Sequence, residues 1–166
     1  MSGYLRLINR QRTRPVDLRQ FREIVEFVLS EQLQLSEFDL TIQFVGDAAM
    51  ARLNQKFLGH EGSTDVITLD YAEHGVHAVS TFQTQSVTGE LFVCVDEALR
   101  QARRFRVPWT TELLRYAVHG ILHLDGHDDQ TPPARRRMKR VENQLVRQLG
   151  RRFRLSRLAR KPKVKA

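Results

Sequence analysis

The 166-residue sequence predicts an α+β fold, a small mixed β-sheet of about four strands packed against a helical layer. Short apolar segments of strand character are concentrated before residue 96, and segments of helical period dominate after it. No internal repeat and no Pro- or Gly-rich linker divides the chain, and its length suits one core, so residues 1–150 are expected to form a single domain.

The elements follow in order. Tyr4 to Ile8 alternates weakly and predicts a short strand. Val16 to Gln32 predicts a helix, with Asp17 as its cap and Phe21, Ile24, Val25 and Val28 on one face. Phe38 to Val45 predicts a second strand, because Leu40, Ile42 and Phe44 alternate with polar residues. Gly46-Asp47 leads into a helix from Ala48 to about Leu58, expected to turn Met50, Leu53 and Phe57 inward. Gly59 to Ser63 is a loop; Thr64 to Asp70 and Glu90 to Val95 are strands; Ala72 to Thr88, of weak periodicity, is expected as a loop or hairpin. Helices from about Asp96 to Phe105, from Thr110 to Leu124, and from about Pro133 to Leu149 complete the domain.

The third of these late helices carries the chemistry. His119 to Asp129 offers six side chains able to bind a metal within eleven residues: His119, His123, Asp125, His127, Asp128 and Asp129. His119 and His123 stand four apart, so their imidazoles leave one face of the helix a single turn apart, a spacing that suits two ligands on one zinc ion. Their helix is otherwise apolar, and burying two imidazoles there is costly without partners. Gly126 ends the helix by adopting the left-handed conformation, after which His127, Asp128 or Asp129 can turn back as a third ligand. Gly120 follows the first His where metallopeptidases of the zincin type carry a general base, which disfavours a peptidase. Asp125 or Asp128 could steady a ligand imidazole, Thr64 and Asp65 suit a structural role beside the helix, and Trp109 suits an anchor at its start.

Charge points to a partner. Residues 135–166 hold fourteen Lys or Arg and one acid, Glu142, a net +13, which leaves −5 for residues 1–134. Such one-sidedness favours contact with phosphate backbones, and residues 151–166 are expected to be a flexible basic tail. The single Cys94 lies among apolar residues and is expected to pack rather than react; with no apolar run of bilayer length, a reducing, cytoplasmic setting without membrane contact is expected.

Three ordered segments carry a family resemblance. His119 to Asp129 resembles the zinc motif of the YbeY family of endoribonucleases; Leu53-Asn54, Phe57 and Thr64-Asp65-Val66-Ile67-Thr68 resemble its Leu-Asn…Thr-Asp-Val-Leu-Ser segment; Thr88-Gly89-Glu90-Leu91 to Val95 resembles its Gly-Asp-Ile-Val-Ile strand. The resemblance spans roughly residues 35 to 150. It implies a single-strand-specific, metal-dependent endoribonuclease that acts on ribosomal RNA in the cytoplasm. The implied role is rRNA processing, late small-subunit (16S rRNA) maturation and ribosome quality control. One zinc ion is implied and no other cofactor. By position its ligands are His119, His123 and Asp129, the last replacing a usual third His, with His127 as the alternative. The family commonly carries an Arg where this chain has Leu58; Lys56, His60, Arg103 and Arg104 are cations that could stand in for it. If none does, the alternative is a non-catalytic, zinc-containing ribosome-assembly factor that binds RNA through its basic tail.

Overall fold

A computed structural model describes residues 2–72 and 86–160. In chain order the elements are β1 (Ser2–Asn9), α1 (Leu18–Phe27) running into a π-helical turn (Val28–Gln32), β2 (Glu37–Val45), α2 (Asp47–Leu58), β3 (Val66–Asp70), β4 (Ser86–Cys94), α3 (Val95–Phe105), α4 (Trp109–Leu124), α5 (Pro132–Arg152) and a 3₁₀ turn (Leu155–Ala159). The sheet order is β1-β2-β4-β3, with β1, β2 and β4 parallel and β3 antiparallel to β4. This is the small mixed sheet with a helical layer that the α+β reading anticipates. Asp17 caps α1 by accepting from the Gln20 N–H.

Alternation along the strands sorts the core. Leu40, Ile42 and Phe44 of β2 and Leu91 and Val93 of β4 face α1, α4 and α5, while Phe92 and Cys94 face the opposite way, against Met50 of α2. Cys94 is a free, fully buried thiol, pushed above its ordinary pKa by burial, as suits packing. Trp109 packs against the main core at the start of α4.

α4 lies unusually close to the sheet. A Cβ on Gly120 would come 2.7 Å from Leu91 Cδ2, and one on Gly89 would come 2.5 Å from the Leu69 carbonyl oxygen and 2.7 Å from Leu124 Cδ2. These two glycines let the helix settle on β3 and β4, so the row that carries His119 is held by a rigid layer.

Three expectations need adjustment. Phe57 is not turned inward; it is 40% exposed, its ring stacked on Phe92 at 6.3 Å. The basic segment after residue 150 is not wholly a tail: α5 extends to Arg152, and Leu155–Ala159 folds back with Leu158 fully buried in the main core. Apolar anchoring by Leu155 and Leu158 outweighs the charge of their neighbours there. Of the Ala72 to Thr88 stretch, Ser86–Thr88 belongs to β4, and residues 73–85 lie outside the described residues, as do 161–166.

Candidate metal centre and the cleft beside it

Glu112, Tyr116, His119 and His123 follow one another along α4 at spacings of four, three and four, so they share one face. The imidazoles of His119 and His123 meet with their Nε2 atoms 3.1 Å apart and their rings at 81°. Beyond them the helix closes in a Schellman motif: the His127 N–H donates to the Leu122 carbonyl at 2.9 Å and the Gly126 N–H to that of His123 at 3.0 Å, with Gly126 at φ +95°. The turn sends the chain back over the imidazoles. His123 Nδ1 donates to the His127 carbonyl at 3.1 Å, and Asp129 Oδ2 lies 3.5 Å from His123 Nε2 and 3.8 Å from His119 Nε2.

Among the described residues, His119, His123 and Asp129 form the group that could hold a metal ion, their ligand atoms all within 4.8 Å of one another. His127 contributes its carbonyl and not its ring. Asp128 accepts from the Gln130 N–H at 3.0 Å, and Asp125, whose carboxyl is raised by burial, stands outside the group; neither is printed against an imidazole.

The partner that steadies His119 is instead Glu142 of α5. Its Oε2 accepts from His119 Nδ1 at 2.8 Å, while Oε1 accepts from Arg115 and Lys139, each at 2.8 Å. Burial alone would raise this carboxyl, but the bonds from His119, Lys139 and Arg115 overcome it and hold Glu142 at about 2. The same bond, against the opposing effect of burial, raises the pKa of His119.

These contacts test whether a metal fits. A carbonyl can only accept and an ionised carboxylate can only accept, so both Nδ1 atoms carry protons and both Nε2 lone pairs face each other at 3.1 Å. That approach is repulsive unless a cation or proton lies between them. With Zn–N bonds of about 2.0–2.1 Å, neighbouring ligand atoms of a tetrahedral ion stand about 3.3 Å apart. The donor set of two imidazoles and one carboxylate, already nearly at that separation, fits such an ion.

The description that best matches the chain is that of the family model "Endoribonuclease YbeY", over residues 6–150. The chain belongs to the YbeY family. A Chlorobium phaeovibrioides protein named Endoribonuclease YbeY is 37% identical over 131 residues, which is 79% of this chain and 81% of that one. One of the same name from Syntrophus aciditrophicus is 31% identical, covering 87% of this chain and 89% of its own length. The solution structure of TM1509 from Thermotoga maritima shares the fold, with a TM-score of 0.64 at 23% identity over 98% of this chain and 99% of that one.

Beside the cluster opens a cleft of about 480 Å³, with α4 as its floor. Arg115 of α4 and Arg135 and Lys139 of α5 supply its positive side; Arg135 is tied into the turn through its Nε, 3.3 Å from the Asp129 carbonyl. The other side is formed by Ser63, Thr64 and Asp65 ahead of β3 and by Glu97, Gln101 and Phe105 of α3. Asp65 Oδ1 accepts from the Val66 N–H at 2.8 Å and from Thr64 Oγ1 at 3.2 Å, the structural role expected of the pair.

Four cations considered as stand-ins for the missing family Arg are not among the residues that line this cleft. Lys56 is exposed, its Nζ 5.1 Å from the Phe57 ring; His60 is exposed just beyond Gly59; Arg103 and Arg104 are exposed on the last turn of α3. Leu58, where the YbeY pattern commonly has Arg, is 51% exposed and also outside it. The residues that sequence reasoning missed are Glu142, Arg115, Arg135 and Lys139. Glu142 did leave a signal: it is the one acid of residues 135–166, on the buried face of α5 with Met138, Leu145 and Leu149.

Proposed function

We propose that this YbeY-family chain is a single-strand-specific endoribonuclease that uses one zinc ion, held by His119, His123 and Asp129, to hydrolyse phosphodiester bonds of ribosomal RNA. The observation that carries this reading is the convergence of two unprotonated Nε2 atoms and one carboxylate at the end of a cleft whose α5 side is cationic. A zinc ion bound there supplies a Lewis acid and an acidified water. The rest is done by side chains. Glu142 and the His127 carbonyl keep the Nδ1 protons of the two imidazoles in place, so the Nε2 atoms stay available as ligands. Arg135, Lys139 and Arg115 present positive charge to a backbone phosphate entering the cleft, although Glu142 offsets part of the charge of the last two. They take the place that Lys56, His60 and Arg103 do not occupy.

The setting we propose is small-subunit (16S) rRNA maturation and ribosome quality control in the cytoplasm. The +13 charge of residues 135–166 and the basic side of the cleft support an RNA partner. Among the described residues no helix is long and apolar enough to cross a membrane.

Zinc-loaded protein incubated with rRNA fragments that contain single-stranded segments should give discrete products, and His123→Ala should abolish them. Tight RNA binding with no metal-dependent product would replace this reading with that of a non-catalytic assembly factor, the role Leu58 leaves open.

A further inference from the structure

The two sides of the cleft differ in kind. Its cations lie on the α5 side, whereas the α3 side brings Asp65 and Glu97 together over Glu112 of the floor, which disfavours a phosphate there. Two side chains of that floor are buried and short of partners. Tyr116 is 5% exposed and its hydroxyl has no hydrogen-bond partner among the described residues. Glu112, one turn before it, is 9% exposed, and the nearest opposite charge printed for it is Arg115 Nε at 3.7 Å, beyond hydrogen-bond length. Buried polar atoms of this sort are normally paired, so a donor and an acceptor left in the lining of a cleft mark a place where a ligand supplies the complement. At the rim stands Phe105, 60% exposed, an aromatic surface of the type on which bases stack.

We propose that this side of the cleft is a nucleobase subsite that selects adenine or cytosine. The inference rests on the RNA-hydrolase reading above and deepens it. In both bases an exocyclic amino group sits next to an unprotonated ring nitrogen. The Glu112 carboxylate accepts from the amino group, and the Tyr116 hydroxyl donates to the ring nitrogen. Uracil presents the reverse order, a carbonyl oxygen next to a ring N–H, and would set its oxygen against the carboxylate. Phe105 supplies stacking to either base. Tyr116 and Glu112 lie about 5 and 11 Å along the helix axis from His119, so the base belongs to a nucleotide close to the phosphate at the metal centre.

The test is binding of fluorescent hexanucleotides to the full-length protein, using hexacytidylate, hexaadenylate, hexauridylate and an abasic ribose-phosphate hexamer. The wild-type protein should bind the cytosine and adenine hexamers about tenfold more tightly than the uracil hexamer. Tyr116→Phe and Glu112→Gln should bring all three to within twofold, and Phe105→Ala should bring them down to the level of the abasic hexamer. Tyr116→Phe removes an unpaired hydroxyl and should melt at the wild-type temperature or above, which separates lost recognition from lost folding. Equal binding of the cytosine and uracil hexamers by wild type, or a preference unchanged in both floor variants, overturns the subsite. Cleavage of rRNA without base preference leaves the nuclease reading standing and removes this one; base preference without cleavage does the opposite.

Discussion

Helices α2 and α4 end alike and yield different surfaces. Each closes at a glycine in the left-handed region, Gly59 at φ +66° and Gly126 at φ +95°, and each is followed by a histidine. After α4 the chain returns over His119 and His123 and delivers a carbonyl and a carboxylate to them. After α2 the returning chain meets Asn54, whose side-chain amide donates to the Gly62 carbonyl at 3.0 Å, and Leu58, Gly59 and His60 stay exposed. A glycine turn therefore reverses the chain but does not make a site. What makes one is the pair of imidazoles waiting on the preceding turn of helix, with their outer nitrogens already committed to Glu142 and His127.

That contrast can be broken most severely at the imidazoles. Protein carrying His123→Ala should lose stoichiometric zinc on dialysis, as read by metal analysis, whereas His60→Ala should keep it. Next comes Glu142→Gln, which leaves Arg115 and Lys139 without their buried anion. Metal affinity measured by competition should fall about 10- to 100-fold.

The metal-free protein should also change its response to acid. Glu142 goes from an ordinary 4.5 in the unfolded chain to about 2 in the folded one, so its stabilisation is fully present above 4.5 and is lost as pH falls towards 2. The difference corresponds to about 3 kcal/mol, and wild type minus Glu142→Gln in urea melts should shrink by roughly that amount across this window.

Smaller again, Gly126→Ala and Gly59→Ala should each cost about 1–2 kcal/mol from left-handed strain. Only Gly126→Ala should also weaken zinc binding, by tenfold or more, in calorimetric titration. The smallest effect is expected of His127→Ala, which keeps the backbone carbonyl that His123 uses: zinc affinity within about twofold of wild type, where a ligand would show a far larger loss.

Much of this architecture was legible because its signals are local. The four-residue spacing of His119 and His123, and Gly126 at a helix end, are both properties of a dozen consecutive residues. Alternation in Phe38 to Val45 and the helical period after residue 96 located most elements within a few positions. What stayed hidden depends on pairings distant in the chain. Glu142 is 23 residues from His119, and only the docking of α5 on α4 brings them together. Lys139 and Arg135 looked like members of a solvated basic run until that docking placed them at the cleft. Phe57 fits the period of α2 yet lies over Phe92 at the edge of the smaller core cluster, a matter of where the helix crosses the sheet. Leu158 carried too little apolar context in sequence to reveal that it fills the main core.

The return of that last segment ties the beginning of the chain to a point far downstream. The Asp17 N–H donates to the Leu158 carbonyl at 2.8 Å, Gln20 reaches the Arg154 carbonyl at 3.1 Å, and Arg160 stands 3.5 Å from Asp17 across 143 positions of sequence. During translation the first helix therefore emerges long before the residues that seal its opening turn. The nascent chain must hold an unfinished helix through nearly the whole of its own synthesis and can lock its tertiary structure only as it leaves the exit tunnel.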